Sequence, residues 1–529
     1  MGITALGDPS MGAMGMRGAG GAPVQGAPPL LLQDVVAHAR SAFAAQDLEK
    51  VVDLLATNPM ELWYGLSTHE LAAMFRTIPT ERIRANPAAF LIATMFFGTE
   101  SAAAPADPAL LAAVDANPGL RRWRIFSEAG SARLAGDLGT AYEVMRSGSD
   151  ATARIPFVVD RTLGVRSFSL CQTALTAIVV GEFRDALGFY DRVLLAEPTP
   201  GMEFFAREAR VRAAMIHAQF GDPVIARMHL LEAEALPRTQ SWVEARLDRD
   251  QEVVELLLAP AGDTVEESFE RMLALTHTAM GEIWPLYLAA LQRIALSAGK
   301  GRAAKERFEA LRDADLGVPA ASGFSGSIIA QGLALEALLS GHARRARKEL
   351  ESAEPRLWGT RFIECLAALS SSANRSAQHI ARGMEEQTRG LRQAEARRVL
   401  LLAIAFFQDG REDEAVAQLM TVGGDLLDME RAMLSAFSPR LCDLGAERVP
   451  GWPEIPTDGA VGLMDRPRLT SSERKVLEAL AQGLPRAQIA QKLFISENTV
   501  KSHQRALYRK LGVNAARQAV LKATEWGLG

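Results

Sequence analysis

Cysteine is scarce in this sequence of 529 residues, which contains three cysteines, Cys171, Cys365 and Cys442. An odd and widely spaced set supplies neither a disulfide framework nor the close pairs that hold zinc. The sequence opens without a basic segment followed by an apolar core, so no export signal is predicted. We therefore expect reduced thiols in a cytoplasmic protein, with no bound metal and no cofactor.

Long apolar runs are missing as well. The longest uncharged stretch, residues 316–335, contains four Gly, three Ser and one Pro, which makes it unsuitable as a membrane span. With 48% apolar and 23% charged residues, the composition is typical of a soluble globular protein, and the length allows two to four domains. No membrane partner is expected.

Enzyme motifs are present only as fragments. AGKGR at residues 298–302 lacks the upstream Gly and the Ser or Thr of a phosphate-binding loop. HELAA at 69–73 lacks the second His of a zinc-protease helix, and GFSGS at 323–327 lacks the final Gly of a nucleophile elbow. We therefore predict no enzymatic activity and no catalytic residues.

Basic and acidic residues are unevenly distributed along the chain. Residues 466–529 hold twelve Lys or Arg and four Glu, a net charge of +8, although the whole chain has a net charge of −5. The first 465 residues therefore carry −13. A basic module on an acidic chain indicates a nucleic-acid partner, with docking of the module on its own acidic body as the alternative.

Residues 30–445 show helical periodicity and an internal repeat, whereas residues 1–29, rich in Gly, Ala, Pro and Met, are predicted to be disordered. From Gly181, an apolar residue follows after two positions, Ala after five, an aromatic residue after nine and an apolar residue after twelve. Related spacings start at Gly136, Gly221, Gly299, Gly341 and Gly410. A unit of about forty residues predicts helical hairpins that must stack, because one hairpin cannot bury its apolar face alone.

This unit resembles the tetratricopeptide repeat, more closely in its second helix than in its first. Where that family favours Trp, Gly and Tyr, this sequence has Leu170, Ala174 and Ala177. The resemblance implies a helical-repeat superhelix acting as a sensor or interaction domain. The residues that follow it, 446–467, are rich in Pro and Gly and are predicted to form a linker.

The last 62 residues predict four short helices. Thr470 or Ser471 is placed to cap the first helix, and Glu473 completes a capping box. The second pattern, PRAQIAQKL, is too short to form a stable helix alone, so we expect it to pack through Ile489 and Leu493. The third, SENTVKSHQRALYRKLG, begins at an N-cap Ser and stops at Gly.

Opposite faces of this third helix carry different residues. One face is apolar except for one amide, with Val500, Gln504, Leu507 and Leu511. The other face is basic and hydroxylated, with Lys501, Ser502, Arg505, Tyr508 and Arg509. A helix of this kind, after a short helix and a turn, suits the DNA major groove, where Arg and Lys donate to guanine O6 and N7.

The tail, residues 468–529, resembles the LuxR-type helix-turn-helix domain of bacterial regulators. The stretches that carry the resemblance are Glu473 to Leu477, Ile489 with Ala490, Phe494 to Ser496, Thr499 to Lys501 with His503, and Lys510 to Val513. The predicted fold is all-α, a tetratricopeptide-like superhelix followed by this four-helix domain. The helical body before this domain resembles that of MalT-class regulators, without the ATPase module that stands first in that class.

The resemblance implies roles for individual residues in binding double-stranded DNA as a dimer. Lys501, Ser502 and Arg505 are expected to face base edges. Arg509 lies further from the start of the helix, so we assign it to phosphate, together with Lys492, Thr499 and Tyr508. The fourth helix often pairs two subunits in this family, which makes Ala519, Val520, Ala523 and Trp526 dimerisation candidates.

Two departures from the family pattern bear on the tail. Pro485 and Gln488 replace the usual capping residues of the second helix, which is expected to weaken its N-terminus. An Arg that is common before the fourth helix falls on Ala516, with Arg517 one place later, so no phosphate contact is assigned there.

Several features have two interpretations at this point. HARRARKEL, residues 342–350, is either a second nucleic-acid patch or an exposed face of a repeat helix. Trp242, Trp284 and Trp358 either line a ligand surface or belong to the core, and His503 either contacts phosphate or holds the turn. As a whole, the chain is either a transcription regulator whose body receives a small-molecule or protein effector, or an interaction scaffold with a docking tail.

Overall fold

The computed structural model describes residues 32–91, 93, 112, 114, 116, 118–152, 164–196, 199–259, 265–276, 281–314, 322–422, 426–455 and 469–525. Within these ranges all regular structure is helical and no strand occurs, which confirms the all-α prediction. The segment predicted to be disordered, residues 1–29, lies outside the described residues. None of the described helices combines the length and the apolarity that a membrane crossing needs.

The described part of the N-terminal half contains thirteen helices. They are α1 (Leu32–Ala44), α2 (Leu48–Thr57), α3 (Pro59–Gly65), α4 (Thr68–Thr77), α5 (Thr80–Ala85), α6 (Pro118–Leu134), α7 (Leu138–Thr152), α8 (Val165–Val180), α9 (Phe183–Leu194), α10 (Phe204–Phe220), α11 (Pro223–Glu234), α12 (Val243–Leu257) and α13 (Val265–Ala274).

The series continues to the start of the tail. These helices are α14 (Trp284–Ser297), α15 (Gly301–Arg312), α16 (Gly323–Leu339), α17 (Ala343–Leu350), α18 (Trp358–Ser370), α19 (Asn374–Arg382), α20 (Glu385–Thr388), α21 (Arg392–Gln408), α22 (Glu412–Val422), α23 (Asp428–Phe437) and α24 (Pro439–Arg448). The tail then contributes α25 (Ser471–Ala481), α26 (Arg486–Leu493), α27 (Glu497–Leu511) and α28 (Ala516–Glu525).

The contacts divide the chain into two compact units. One unit comprises Met1–Ile294, Glu309–Ile329 and Gly390–Gln393, and the other comprises Ala295–Phe308, Ala330–Arg389 and Ala394–Gly529. The tail helices belong to the second unit.

The pair α8 and α9 shows how the repeated spacing produces a hairpin. Gly181 has φ +106°, a left-handed conformation that ends α8, and its N–H donates to the carbonyl of Ala177. Ala186 and Tyr190 are fully buried on α9. A small side chain at Ala186 lets the two helices approach closely, while Tyr190 fills the space towards the next pair.

The same positions are buried in the other copies of the repeat. The Ala that follows the turn Gly by five residues is fully buried in each, at Ala141, Ala226, Ala304, Ala346 and Ala415. Five of the six turn glycines have positive φ, and Gly221 is the exception. Two further pairs of packed helices, α1 with α2 and α18 with α19, turn without Gly at Gln46 and Ser372, which also have positive φ. The hairpin unit is thus more frequent than the Gly pattern indicates.

The start of the predicted linker is part of a packed structure. Helix α24 continues to Arg448, and Val449 is buried. The Trp452 ring lies so close to Gly445 that a Cβ added at this Gly would be 2.5 Å from it. The segment without helix therefore begins after Arg448 rather than at residue 446, and residues 456–468 lie outside the described part of the chain.

The three tryptophans singled out in the sequence lie mainly in the interior. Trp284 and Trp358 are buried, and Trp242 is half-buried with its Nε1 donating to the carbonyl of Trp63. The structure therefore supports the core interpretation for these residues. The three cysteines are likewise buried, and each is a free thiol. Burial raises the pKa of Cys365 to about 12, so this thiol is a poor nucleophile.

Candidate nucleic-acid interface

The tail begins with a capped helix that anchors the domain. Thr470, rather than Ser471, is the N-cap of α25, and its Oγ1 accepts from the N–H of Glu473 at 3.2 Å. Glu473 in turn accepts from the N–H of Thr470 at 2.7 Å, which completes the predicted capping box. Val476, Ala479, Ile489, Ala490 and Val500 then form one apolar cluster that joins α25, α26 and α27.

The turn between α26 and α27 is formed by three residues. Phe494 ends α26 with φ +55° and leaves its ring 95% exposed, which is unusual for a large apolar residue. Ser496 caps α27 by accepting from the N–H of Thr499 at 3.1 Å. Sequence reasoning used Phe494 only as part of a family motif and did not foresee its exposure, since an apolar residue next to a helix end normally suggests packing.

One face of α27 is buried as predicted. Val500, Gln504, Leu507 and Leu511 are the buried residues of this helix. Leu507 and Leu511 pack with Leu477 and two residues of α28 in a second apolar cluster. The polar member, Gln504, is held by a hydrogen bond from Nε of Arg486 to its Oε1 at 3.2 Å, which ties α26 to α27.

The opposite face of α27 is free for a partner. Lys501, Ser502, Arg505 and Arg509 are all exposed. Within the part of the chain that the structure describes, the three basic side chains form no ion pair. Lys501, Arg505 and Arg509 follow each other at four-residue intervals, so each lies about 6 Å further along the helix axis. The result is a cationic stripe of about 12 Å, comparable to the width of the DNA major groove.

The other predicted phosphate contacts differ in exposure and in hydrogen bonding. Lys492 is exposed and donates to Oε1 of Gln482. Thr499 is half-buried, and its hydroxyl is within 2.8 Å of the Ser496 hydroxyl. Tyr508 is half-buried against the second apolar cluster, and this burial raises the pKa of its hydroxyl although Arg486 acts in the opposite direction. His503 is half-buried as well.

One basic residue of α27 has a structural role instead. Lys510 donates from Nζ to Oε2 of Glu473 at 2.6 Å, which links the end of α27 to the start of α25. Burial alone raises the pKa of Glu473, but the hydrogen bonds from Lys510 and Thr470 outweigh it and hold this pKa below its ordinary value.

The four dimerisation candidates differ in burial, and one of them lies outside the described residues. Ala519 and Ala523 are buried in the tail's own second cluster, because their small side chains let α28 lie close to α25 and α27. Their side chains are therefore not on the surface. Val520 is half-buried beside them, and Trp526 lies outside the described residues. The exposed apolar residue of α28 is Leu521, which the resemblance did not single out.

The short helix α26 has the weak start that its sequence predicts. Its N-cap is Pro485, and no side chain hydrogen bonds to its first N–H groups. Packing compensates for this, because Ile489 is fully buried and Leu493 lies against the same cluster.

Comparison with known proteins agrees with this geometry. Residues 467–523 match the family described as bacterial regulatory proteins, luxR family (GerE). Spore germination protein GerE of Bacillus subtilis (strain 168) is 44% identical over 62 residues, which are 12% of this chain and 84% of that protein. The DNA-binding transcriptional activator DevR/DosR of Mycobacterium tuberculosis is 44% identical over 57 residues, 11% of this chain and 26% of that protein.

A third relative matches a similar share of this chain. The nitrate/nitrite response regulator protein homolog of Haemophilus influenzae is 55% identical over 47 residues, 9% of this chain and 23% of that protein. The chain thus covers most of GerE and about a quarter of the two other relatives. Through its C-terminal residues, the chain belongs to the luxR family of bacterial regulatory proteins.

Proposed function

We propose that the protein is a sequence-specific DNA-binding transcription regulator whose α27 lies in the major groove. The observation that carries this proposal is the unpaired cationic face of α27, held opposite a fully buried apolar face by the other helices of the tail. Unpaired cations on one face of an ordered helix fit an anionic partner. The regulator and activator functions in the names of the relatives point in the same direction.

The positions of the residues along the stripe support separate base contacts and phosphate contacts. Lys501, Ser502 and Arg505 lie closer to the start of α27 than Arg509 does, and the N-terminal part of a recognition helix contacts base edges. Arg509 is about 12 Å further along the axis than Lys501, where a straight helix leaves the groove, so it contacts phosphate. Lys492, Thr499 and Tyr508 are assigned to the remaining phosphate contacts.

The body and the fourth helix complete the proposed regulator. The body acts as a tetratricopeptide-like sensor, as in MalT-class regulators but without an ATPase module, and receives a small-molecule or protein effector. Stacked hairpins present long surfaces suited to this task. Two tails pair on DNA through α28, where Leu521 is 62% exposed while Ala519 and Ala523 serve the core.

A gel-shift experiment tests the proposal directly. The full chain and a chain ending at Ile455 are compared on a DNA fragment from upstream of the protein's own gene. This truncation point keeps Val449 and Trp452, which pack on the body. We expect binding by the full chain and none by the truncated chain. If the full chain stays folded but does not shift any fragment, the tail serves as a docking module and the scaffold interpretation replaces the proposal.

A further inference from the structure

The second helices of the hairpins differ sharply in charge. Helix α17, ARRARKEL, has a net charge of +3, and α19, NRSAQHIAR, has +2 with no acidic residue. Helix α15 is also positive, at +2. By contrast, the charges are −1 for α7, 0 for α9, −1 for α11 and −3 for α22. Because the first 465 residues are acidic in total, these basic helices stand out against their surroundings.

Helices α17 and α19 lie on the same supporting helix, α18. Arg347 of α17 donates to the hydroxyl of Ser371, in the turn that leads from α18 to α19, at 2.8 Å. From the other side, Arg361 of α18 donates to the carbonyl of Gly383, just after α19, at 2.8 Å. Both basic helices therefore pack on α18 within the second unit, and we consider their exposed cations together.

Four cations on these helices have no acidic partner. Arg344, Lys348, Arg375 and Arg382 are exposed, and none of them forms an ion pair with another described residue. Two other exposed arginines of the body do have acidic partners, Arg40 with Glu70 and Arg238 with Asp248. We call these four residues the α17–α19 basic surface.

The surroundings of this surface indicate the class of its partner. Large exposed apolar residues occur at ten described positions, none of them between Val265 and Met420. A protein interface normally has an apolar or aromatic centre, and single-stranded nucleic acid is bound by exposed aromatic rings. Neither feature is present in this surface. Spaced cations alone suit the regular phosphates of a double helix.

We propose that the α17–α19 basic surface binds the phosphate backbone of duplex DNA beside the site held by the tail. This inference rests on the proposed function, because the tail brings the DNA to the body. Once the tail is bound, the tether raises the local concentration of flanking phosphates near the body, so weak contacts become effective. Such contacts add affinity and salt dependence without adding sequence preference.

The test compares two duplex lengths with matched variants of the full chain. The test variant carries Arg344→Gln, Lys348→Gln, Arg375→Gln and Arg382→Gln. The control variant loses the same charge at four paired arginines, through Arg40→Gln, Arg238→Gln, Arg271→Gln and Arg389→Gln. Fluorescence anisotropy over a salt series measures binding to mixed-sequence duplexes of about 20 base pairs, roughly two helical turns, and about 60 base pairs.

We expect the test variant to lose about 3 to 4 units of salt slope per bound chain on the long duplex, or about 7 for a bound pair, since each of the four phosphate contacts contributes about 0.9. Its affinity for the short duplex, which two tails cover, should stay within about twofold of the wild type. The control variant should match the wild type on both duplexes. Circular dichroism confirms that both variants are folded.

Three results would overturn the inference. Equal salt slopes for the wild type and the test variant on the long duplex would show that the body does not contact DNA. The proposed function would remain intact. Equal slopes together with a smaller assembly of the test variant in sedimentation would assign the surface to a protein partner. A wild type that binds neither duplex would overturn this inference and the proposed function together.

Discussion

The body and the tail use arginine in opposite ways. In the body, Arg397 is 4% exposed and donates to Glu430, which is fully buried, at 2.7 Å. Arg207 of α10 and Glu244 of α12 form another buried pair. In the tail, Arg505 and Arg509 are exposed and have no ion pair among the described residues. Buried arginines thus hold helices together in the body, whereas the exposed arginines of α27 form no ion pair with the described residues.

The cores of the two regions differ in size as well. Helices such as α8 and α10 are buried over most of their length. The tail depends on two clusters of five buried residues each. A domain of about 60 residues has only about 3–5 kcal/mol of stability from such a core. Single substitutions should therefore affect the tail more than the body.

The largest effect is expected from Leu507→Asp. Leu507 is fully buried in the second cluster, and an unpaired carboxylate there costs at least about 4 kcal/mol, as much as the tail has available. We expect loss of DNA binding and of the helical signal of the tail, measured by anisotropy and circular dichroism. Leu521→Asp, at an exposed position of α28, is the control and should leave the tail folded. A folded Leu507→Asp tail would show that this core is not needed.

Next in size is Arg397→Met in the body. This change leaves the buried carboxylate of Glu430 without its partner and should cost about 3–5 kcal/mol of unfolding free energy, measured by urea denaturation. Arg271→Met breaks an exposed pair with Glu252 and should cost less than about 1 kcal/mol. Similar losses for the two variants would contradict the difference between buried and exposed pairs.

A smaller and pH-dependent effect is expected from Lys510→Met. The Lys510 hydrogen bond to the buried Glu473 is partly exposed, so its loss should cost about 1–2 kcal/mol at pH 7. Because the pKa of Glu473 is lower in the folded state, the stabilisation is present above the ordinary value of 4.5 and is lost as the pH falls through the lowered value. Urea denaturation at pH 7 and pH 3 checks this. A gap between wild type and variant that is equally large at pH 3 would exclude Glu473 as the partner.

The smallest effect is expected from Arg509→Ala. This residue lies at the exposed end of the stripe, and as a phosphate contact it should weaken binding to all sequences similarly and lower the salt slope by about 1. A salt series on the preferred and on an unrelated duplex measures this. A loss confined to the preferred duplex would place Arg509 among the base contacts.

The two faces of α27 were predictable because the residues repeat with the period of a helix. Val500, Leu507 and Leu511 share one side in the sequence and are buried in the structure. The turn at Ser372 was missed, although Ala377, Ala381 and Met384 follow it with the spacing of the repeat and are buried. The pattern had been defined by Gly, and here Ser adopts the left-handed turn conformation instead.

Burial within a small domain was harder to predict than periodicity. Ala519 and Ala523 were expected at a subunit contact, but a small side chain gives no indication whether it faces a second subunit or a neighbouring helix. Val449 and Trp452 lie in a Pro- and Gly-rich stretch, so their packing against the body was hidden by the local composition. These outcomes depend on three-dimensional neighbours that a sequence pattern does not specify.

The central claim is that the exposed face of α27 reads DNA sequence. Its most direct test is selection of preferred duplexes from a random pool by the full-length wild type, Lys501→Ala and Arg505→Ala. We predict that each variant loses about 1–3 kcal/mol on the wild-type site and loses discrimination at particular base pairs. If both variants remain folded and select the same sequences with unchanged affinity, α27 does not read DNA and the claim is wrong.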